Sequence, residues 1–384
     1  MMNLEEFLAN KPLFYNVIDY ERFPKAFARI AHLLHHPKII HVVGTNGKGS
    51  TGRFLATALS RLGKTTGHYT SPHILRFNER IWIDGADITN TELESAYQKL
   101  SGFLDAPTAD SLSYFEYTTL LAMVAFERCE YVLLEAGLGG EFDATNVFEK
   151  VLSVFTPIDF DHSAFLGSTI GSIASTKLRS MTSKALLGVQ NHPIVEEIAQ
   201  EITLEKKCQL YNVQELINPR IDAIALHLAL KNGLSDYLRD NSKLAMAAFE
   251  LLGYEAQETL FDQNVLFGRL SRIASNITLD VGHNALAARA IAQAFEGQKI
   301  TLVYNTYADK DYQEILSILA PIVDKVEIIT IEEQRIVSRD LLEGSLQKLG
   351  LCYGSFEAIN PNTEYLVFGS FSVAEGFLKR MKNI

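Results

Sequence analysis

The chain has 384 residues, 47% of them hydrophobic, which is enough for two or three domains with a sizeable core and too apolar for a disordered chain. Its 35 Lys and Arg against 46 Asp and Glu leave a net charge of −11. That balance excludes a nucleic-acid or membrane surface as the main partner, and any anionic substrate needs cations gathered locally at its site. No apolar run approaches the ~20 residues of a spanning helix. Residues Met1–Asn10, with Glu5 and Glu6, do not read as a signal peptide. Cys129, Cys208 and Cys352 lie far apart and read as free thiols of a reducing cytoplasm, with neither disulfide nor zinc site.

In chain order, Phe23, Phe27, Ile30 and Leu34 share one face of a helix predicted over Tyr20–Leu34. Lys38–Val43 is a short, β-branched apolar run of the kind found in buried parallel strands. A Gly-rich turn follows, then a helix from Thr51 to Leu62 closed by Gly63. Thr91 and Glu94 have the spacing of a capping box and predict a helix start. Tyr114–Cys129 reads as a largely buried helix, and Tyr131–Glu135 and Val151–Phe155 as two more buried strands. A helix over Asp236–Leu252, with Gly253 beyond it, closes the unit. This alternation implies a P-loop-type, doubly wound α/β domain. From Phe267-Gly268-Arg269 the pattern restarts. Strands at Ile277–Leu279, Lys299–Tyr304, Lys325–Thr330 and Tyr365–Phe368, helices between them and a last helix from Ser372 to the end give a second, smaller Rossmann-like α/β domain. The expected division is 1–267 and 268–384.

Between the first strand and its helix lies Gly44-Thr45-Asn46-Gly47-Lys48-Gly49-Ser50. Glycines let backbone amides face phosphate oxygens, and the helix start adds partial positive charge. Lys48 is placed to neutralise the outer phosphates of ATP, and Ser50 offers a hydroxyl to Mg²⁺. The spacing is not the common Walker form: two residues separate Gly44 from Gly47, and Gly49 separates Lys48 from Ser50. The plain alternative is an ordinary βα turn.

This loop resembles the nucleotide loop of folylpolyglutamate synthases and dihydrofolate synthases, members of the wider Mur ligase superfamily. Tyr69–His73 followed by Arg76–Arg80 looks like the family's mobile loop, and Ser113–Thr118 like its pterin-side helix. Leu133–Gly140 with Asp143–Asn146 is close to the family signature, and Asp161-His162 with Phe165–Gly167 fits the next block. Gly268-Arg269, Asp280–Asn284, Ala308–Asp311 and Gly369-Ser370 follow in family order, so the similarity runs from about Tyr15 to the end.

The resemblance implies an ATP-dependent amide ligase that adds L-glutamate to dihydropteroate, or to the γ-carboxylate of a reduced folate, through an acyl phosphate. It implies a cytoplasmic monomer with small-molecule substrates only. Glu135 ends a buried strand at the edge where ligands bind in open α/β sheets, and is implied to hold Mg²⁺ with Ser50 and Ser71. The alternative is a capping or salt-bridged glutamate. His162 is implied to hold a second Mg²⁺, against a merely structural histidine. Lys177 is implied to be carbamylated as a further ligand, although Thr176 and Leu178-Arg179 depart from the family's usual neighbours. Its alternative is a solvated surface lysine. With Lys48, the residues His162 and Lys177 form the expected catalytic set.

Arg269 resembles an arginine that reaches ATP phosphates, and Asp280 and His283 resemble nucleotide contacts, Asp280 on the ribose. A strand-end turn with Asn284 as helix cap is compatible with these roles. Asn241 matches an adenine-side asparagine, but Tyr237-Leu238 stand where the family has a His-Gln pair; the alternative is a solvent-facing residue in mid-helix. Asp309, Lys310, Asp311 and Ser370 are assigned to the glutamate side, against a solvated charged loop. Phe115, Glu116 and Tyr117 are assigned to the pterin side, although such an aromatic stripe is more often core. Two rival functions are a cell-wall precursor ligase, disfavoured because too few residues precede Gly44 for its extra domain, and a nucleotide-binding switch or inactive ligase-like module.

Overall fold

The computed structural model describes residues 3–11, 19–262 and 265–382. Tyr15, where the similarity begins, lies outside them. The chain divides into two compact units, Met1–Gly233 with Leu238–Asn264, and Leu234–Tyr237 with Val265–Ile384.

The first unit is built on an eight-stranded sheet of β1 (Lys38–Val43), β2 (Thr66–Tyr69), β3 (Ile81–Ile83), β4 (Ala86–Asp87), β5 (Tyr131–Glu135), β6 (Lys150–Phe155), β7 (Lys184–Leu187) and β8 (Gln209–Asn212). The spatial order is β4-β3-β2-β5-β1-β6-β7-β8. From β2 to β8 the pairs are parallel; β3 and β4 close one edge antiparallel. β1 therefore sits in the middle, with Val42 opposite Glu135 and Val43 opposite Phe155. This register puts the carboxyl ends of β5, β1 and β6 side by side, at the edge of the sheet where the phosphate loop leaves β1.

β2 carries only polar or small residues apart from Tyr69, and the sequence pattern does not reveal it. All four are buried, and a Cβ on Gly67 would lie 2.4 Å from the Phe126 ring. Close packing against that ring requires glycine in mid-strand. Helices Arg22–Ile30, Asn90–Phe103 and Tyr114–Ala125 share a core with β2 and β5, while Ile170–Leu178 and Pro193–Lys206 pack with β6 and β7.

The helix expected to start at the Thr91/Glu94 box starts two residues earlier. Thr89 is the cap: Glu92 N–H donates to its hydroxyl, and Thr89 N–H donates to the Glu92 carboxylate. The sequence holds two overlapping Thr-x-x-Glu boxes. The buried pair Ile88 and Leu93, one before the cap and one in the first full turn, selects the earlier by a hydrophobic staple. Glu94 instead accepts from the backbone of Leu4 at 3.2 Å. Thr89→Ala is expected to cost ~1 kcal/mol in urea unfolding. Thr91→Ala should stay within about 0.5 kcal/mol of the parent.

The second unit has β9 (Ser271–Ala274), β10 (Ile277–Leu279), β11 (Ile300–Tyr304), β12 (Val323–Ile328), β13 (Cys352–Ser355) and β14 (Tyr365–Phe368), in the order β13-β12-β11-β14-β10-β9. All pairs are parallel except the antiparallel edge strand β9. Helices Ala285–Ala294, Tyr312–Leu319 and Arg339–Lys348 complete its core. Among the described residues no helix is long and apolar enough to cross a membrane.

Candidate active site

The phosphate loop turns directly into a helix, Lys48–Arg61, three residues earlier than the periodicity suggests. Gly47 at the cap has φ +89°, which an L side chain rarely adopts, and a Cβ there would lie 2.5 Å from Asn241 Oδ1. At Gly44 a Cβ would lie 2.0 Å from Thr156 Oγ1. The loop is thus pressed between β6's exit and the helix Asp236–Leu251, with no room for side chains. Thr45 locks it to the next strand's exit: its N–H donates to Pro157 O at 2.9 Å, and its hydroxyl donates to Asp159 O at 2.9 Å.

Two ammonium groups meet at this turn. Lys48 Nζ donates to the carbonyls of Gly44 at 3.2 Å and Thr45 at 3.0 Å, and Lys177 Nζ donates to Gly44 O at 2.8 Å. Lys177 is only 4% exposed, which removes the solvated-lysine alternative. Burial, reinforced by the Lys48 charge, pulls its pKa from the usual 10.5 down to about 7. Ser50 Oγ and Asn241 Nδ2 are buried without a hydrogen-bond partner. Asn241 therefore faces the phosphate loop and not solvent. Asn46 and Gly49 complete the turn, Gly49 within the buried first turn of the helix.

Glu135 is buried at the end of β5, and its Oε2 accepts the N–H of Ser71 at 3.3 Å. Asp143 shapes the turn that follows. Its carboxylate accepts from the N–H groups of Gly137 (3.0 Å) and Leu138 (2.8 Å) and from both donors of Thr145, whose hydroxyl also meets the buried His41 ring at 2.7 Å. His162 follows β6 in the left-handed region, φ 52°, with Nε2 3.7 Å from Asp161. Among the described residues no three His, Cys, Asp or Glu side chains cluster in metal-binding fashion. A hard cation at this edge would draw on hydroxyls as well; the orphaned, buried Ser50 Oγ fits that requirement, and the Ser71 N–H bond to Glu135 brings a second serine to the same carboxylate.

On the helix Tyr114–Ala125, Phe115 lies against Gly137, where a Cβ would meet its ring at 2.7 Å, and stacks on Tyr69 with centroids 5.9 Å apart. Its neighbours have other partners. Glu116 pairs with Arg22 at 2.9 Å, and Tyr117 is core, packed on Phe7.

Within the second unit, Arg269 Nη1 donates to Gly268 O at 3.1 Å and its guanidinium lies 5.5 Å from the Phe371 ring centroid. Asp280 is buried and accepts from Leu270 N–H (2.9 Å), Gly282 N–H (2.7 Å) and Tyr237 OH (3.0 Å). His283 Nδ1 lies 3.2 Å from Val281 O, and Asn284 caps the next helix through Ala287 N–H. Asp311 is also a helix cap, accepting from Glu314 N–H, and buried Ser370 accepts from Val373 N–H. Asp309 pairs with Arg335 at 3.0 Å.

No family model matches the chain. The dihydrofolate synthase/folylpolyglutamate synthase of Haemophilus influenzae is 32% identical across 91% of both chains. The chain belongs to this family. The Bacillus subtilis enzyme of the same name is 29% identical over 84% of each chain. Among solved structures, a Helicobacter pylori folylpolyglutamate synthetase is 40% identical and superposes with a TM-score of 0.81 over 99% of this chain and 98% of that one. E. coli FolC in complex with DHPP and ADP is 25% identical, TM-score 0.82, over 100% and 98%. Dihydrofolate synthase/folylpolyglutamate synthases are ATP-dependent ligases for folate glutamylation, and the chain is a ligase of this kind.

For a member of this family, the structure adds residues to which sequence reading gave no role. Asp143 and Glu79 stand inside quoted motifs, but only the fold shows which amides they gather. Thr156 and Asp159 carry a weak signal in Thr156-Pro-Ile-Asp159, since polar residues just past a buried strand favour a site edge. Tyr237, which with Leu238 stands in place of the His-Gln pair, is joined to Asp280 only by the fold.

Proposed function

We infer that the chain catalyses both glutamate additions of its family, to dihydropteroate and to the γ-carboxylate of reduced folates, with residues 1–267 as the ATP-binding part and 268–384 as the glutamate-ligase part. The observation that carries the ATP-dependent part of this reading is the convergence of Lys48 and Lys177 on the Gly44 carbonyl, with a buried unpartnered Ser50 hydroxyl in the same turn. The E. coli FolC solved with DHPP and ADP supports the substrate class.

Lys48 exchanges its two carbonyl contacts for phosphate oxygens of ATP, and the amides of Gly44 to Ser50 line the phosphates. Arg269 acts on the same phosphates, and Asn241 serves the adenine side. Asp280 and His283 serve the nucleotide from the second domain, Asp280 chiefly by holding the Gly268–Leu270 turn. Ser50, Ser71 and Glu135 would hold one Mg²⁺, and His162 with a carbamylated Lys177 would hold a second. When bound, these cations supply charge screening for a polyanionic transition state.

Carbamylation needs a neutral amine: the lysine nitrogen bonds the carbon of CO₂ and its proton goes to solvent. An ordinary lysine is neutral in roughly one molecule in a few thousand near pH 7, whereas a group with a pKa of about 7 is neutral in about half. The substrate carboxylate takes the γ-phosphoryl group, releasing ADP. The glutamate amine then attacks the acyl carbon, and phosphate leaves. Asp309, Lys310, Asp311 and Ser370 lie on the glutamate side. A reducing cytoplasm suits the chain's three free cysteines, and a monomer is the state proposed for it.

Offering dihydropteroate and tetrahydrofolate separately, each with glutamate and ATP, should give mass-identified products one glutamate heavier in both cases. With ¹⁸O in the substrate carboxylate, label should appear in phosphate. A single active substrate refutes bifunctionality, and unlabelled phosphate refutes the acyl-phosphate route.

A further inference from the structure

Ser71 sits at the start of a long excursion between β2 and β3. The sheet pins the base of this loop, through the Tyr69–Ile81 pair and the donation of Thr70 N–H to Arg80 O at 2.9 Å. Beyond that base no strand supports it. One carboxylate does. Glu79 Oε2 accepts from Ile74 N–H at 2.7 Å, and Oε1 accepts from Leu75 N–H at 3.0 Å and Arg76 N–H at 2.9 Å. Three successive backbone amides thus turn inward onto a single anion, an arrangement that needs the full charge and both oxygens. Next to it, Arg80 Nε donates to His73 Nδ1 at 2.8 Å, and Asn78 Nδ2 donates to Ile88 O at 2.7 Å. The loop is a self-tied ring whose first residue, Ser71, donates its N–H to Glu135.

We propose that Glu79 is a positioning residue of the ligase: by gathering the amides of Ile74, Leu75 and Arg76 it fixes the turn that holds Ser71 against Glu135, and so sets the affinity of that edge for a divalent cation. Both Glu79 oxygens are engaged by backbone amides of its own loop. Its effect runs through the orientation of two groups that, on the function proposed above, hold the metal, and this inference rests on that reading. Removing the carboxylate leaves three inward-facing amides with no acceptor. The turn then reopens, and Ser71 is no longer held at one place.

The experiment measures Mn²⁺ binding directly, by the electron paramagnetic resonance signal of free Mn²⁺, with AMPPNP present and without catalysis. Glu79→Ala should bind Mn²⁺ on the order of 10–100-fold more weakly, the range for loss of an outer partner of a metal ligand. Glu79→Gln, which keeps the size but only one acceptor oxygen, should fall between. AMPPNP affinity without metal should not change. Glu135→Ala is the control for the underlying reading. Parent-like Mn²⁺ affinity in Glu135→Ala would sink the metal role of Glu135 and this proposal with it. Weak binding in Glu135→Ala beside parent-like binding in Glu79→Ala overturns this proposal alone. The unmodified chain gives a test that needs no variant: the amides of Ile74, Leu75 and Arg76 should exchange hydrogen slowly, and exchange at the rate of an unstructured peptide overturns the proposal even if the Glu79 variants fail to fold.

Discussion

Lys177→Ala is expected to lower turnover on the order of 10²–10³-fold, the scale of removing one charge-stabilising group from a transfer site. Short carboxylic acids such as acetate should restore part of the loss. A carbamate is a carboxylate carried on the lysine nitrogen, and a free acid in the space left by the side chain supplies similar oxygens. Buried Lys177, with its pKa drawn to about 7, is chemically suited to capture CO₂, since a lysine with an ordinary pKa is almost wholly protonated. Full activity in Lys177→Ala, measured as ADP release with saturating substrates, removes the residue from the mechanism.

The same group makes a stability prediction with a definite sign. In the unfolded chain Lys177 keeps its proton up to about pH 10.5, while in the folded chain it loses it near pH 7. The unfolded state therefore binds more protons throughout that window, and stability gains from this group as pH rises. Compared with Lys177→Met in metal-free, CO₂-depleted buffer, the parent should be at its greatest relative disadvantage at pH 7 and below. The gap should narrow toward pH 10.5, by up to ~1.4 kcal/mol per pH unit. Urea unfolding at several pH values measures it, and a pH-independent gap contradicts the burial of an ionisable amine.

Gly47→Ala is expected to cost about 10²-fold in kcat/KM for ATP while leaving the fold intact, the scale set by displacing a positioning group by an ångström. Two separate obstacles act at this position. The backbone is left-handed at φ +89°, and the new methyl would lie 2.5 Å from Asn241 Oδ1. The second obstacle is the end of a side chain and can yield; the first cannot, and for a non-glycine residue it amounts to ~1–3 kcal/mol. Measured against Asn241→Ala alone, the double variant Gly47→Ala/Asn241→Ala should therefore still show the Gly47→Ala loss. If Gly47→Ala costs nothing further in the Asn241→Ala background, the clash and not the backbone governs the loop.

Much of this site is legible in the chain. β1 and β5 appear as apolar runs because both faces of a central parallel strand are buried. The phosphate loop and Glu135 then follow as their carboxyl-end extensions. Edge strands such as β8 and β13 are short and half-exposed, so they leave little periodic trace. β2 is hidden for another reason, since its Gly67 and His68 are buried by local fit and not by apolarity. At Thr89 two identical capping signals overlapped, and only the burial of Ile88 and Leu93 in one core, on either side of the cap, chose between them.

The sequence alone determined which groups are available: a glycine-rich turn bearing Lys48 and Ser50, an acid at the end of a buried strand, and a histidine and a lysine farther on. Those are local facts, written in residue type and spacing. Only the tertiary structure decided that Lys177 is buried on the carbonyl of Gly44, that Asn241 closes on Gly47, and that Asp280 is spent on Tyr237 and the Gly268–Leu270 turn. Each joins residues distant in the chain or depends on burial, and desolvation, which turns an ordinary lysine into one that titrates near neutrality, arises only when the folded chain removes water from around it.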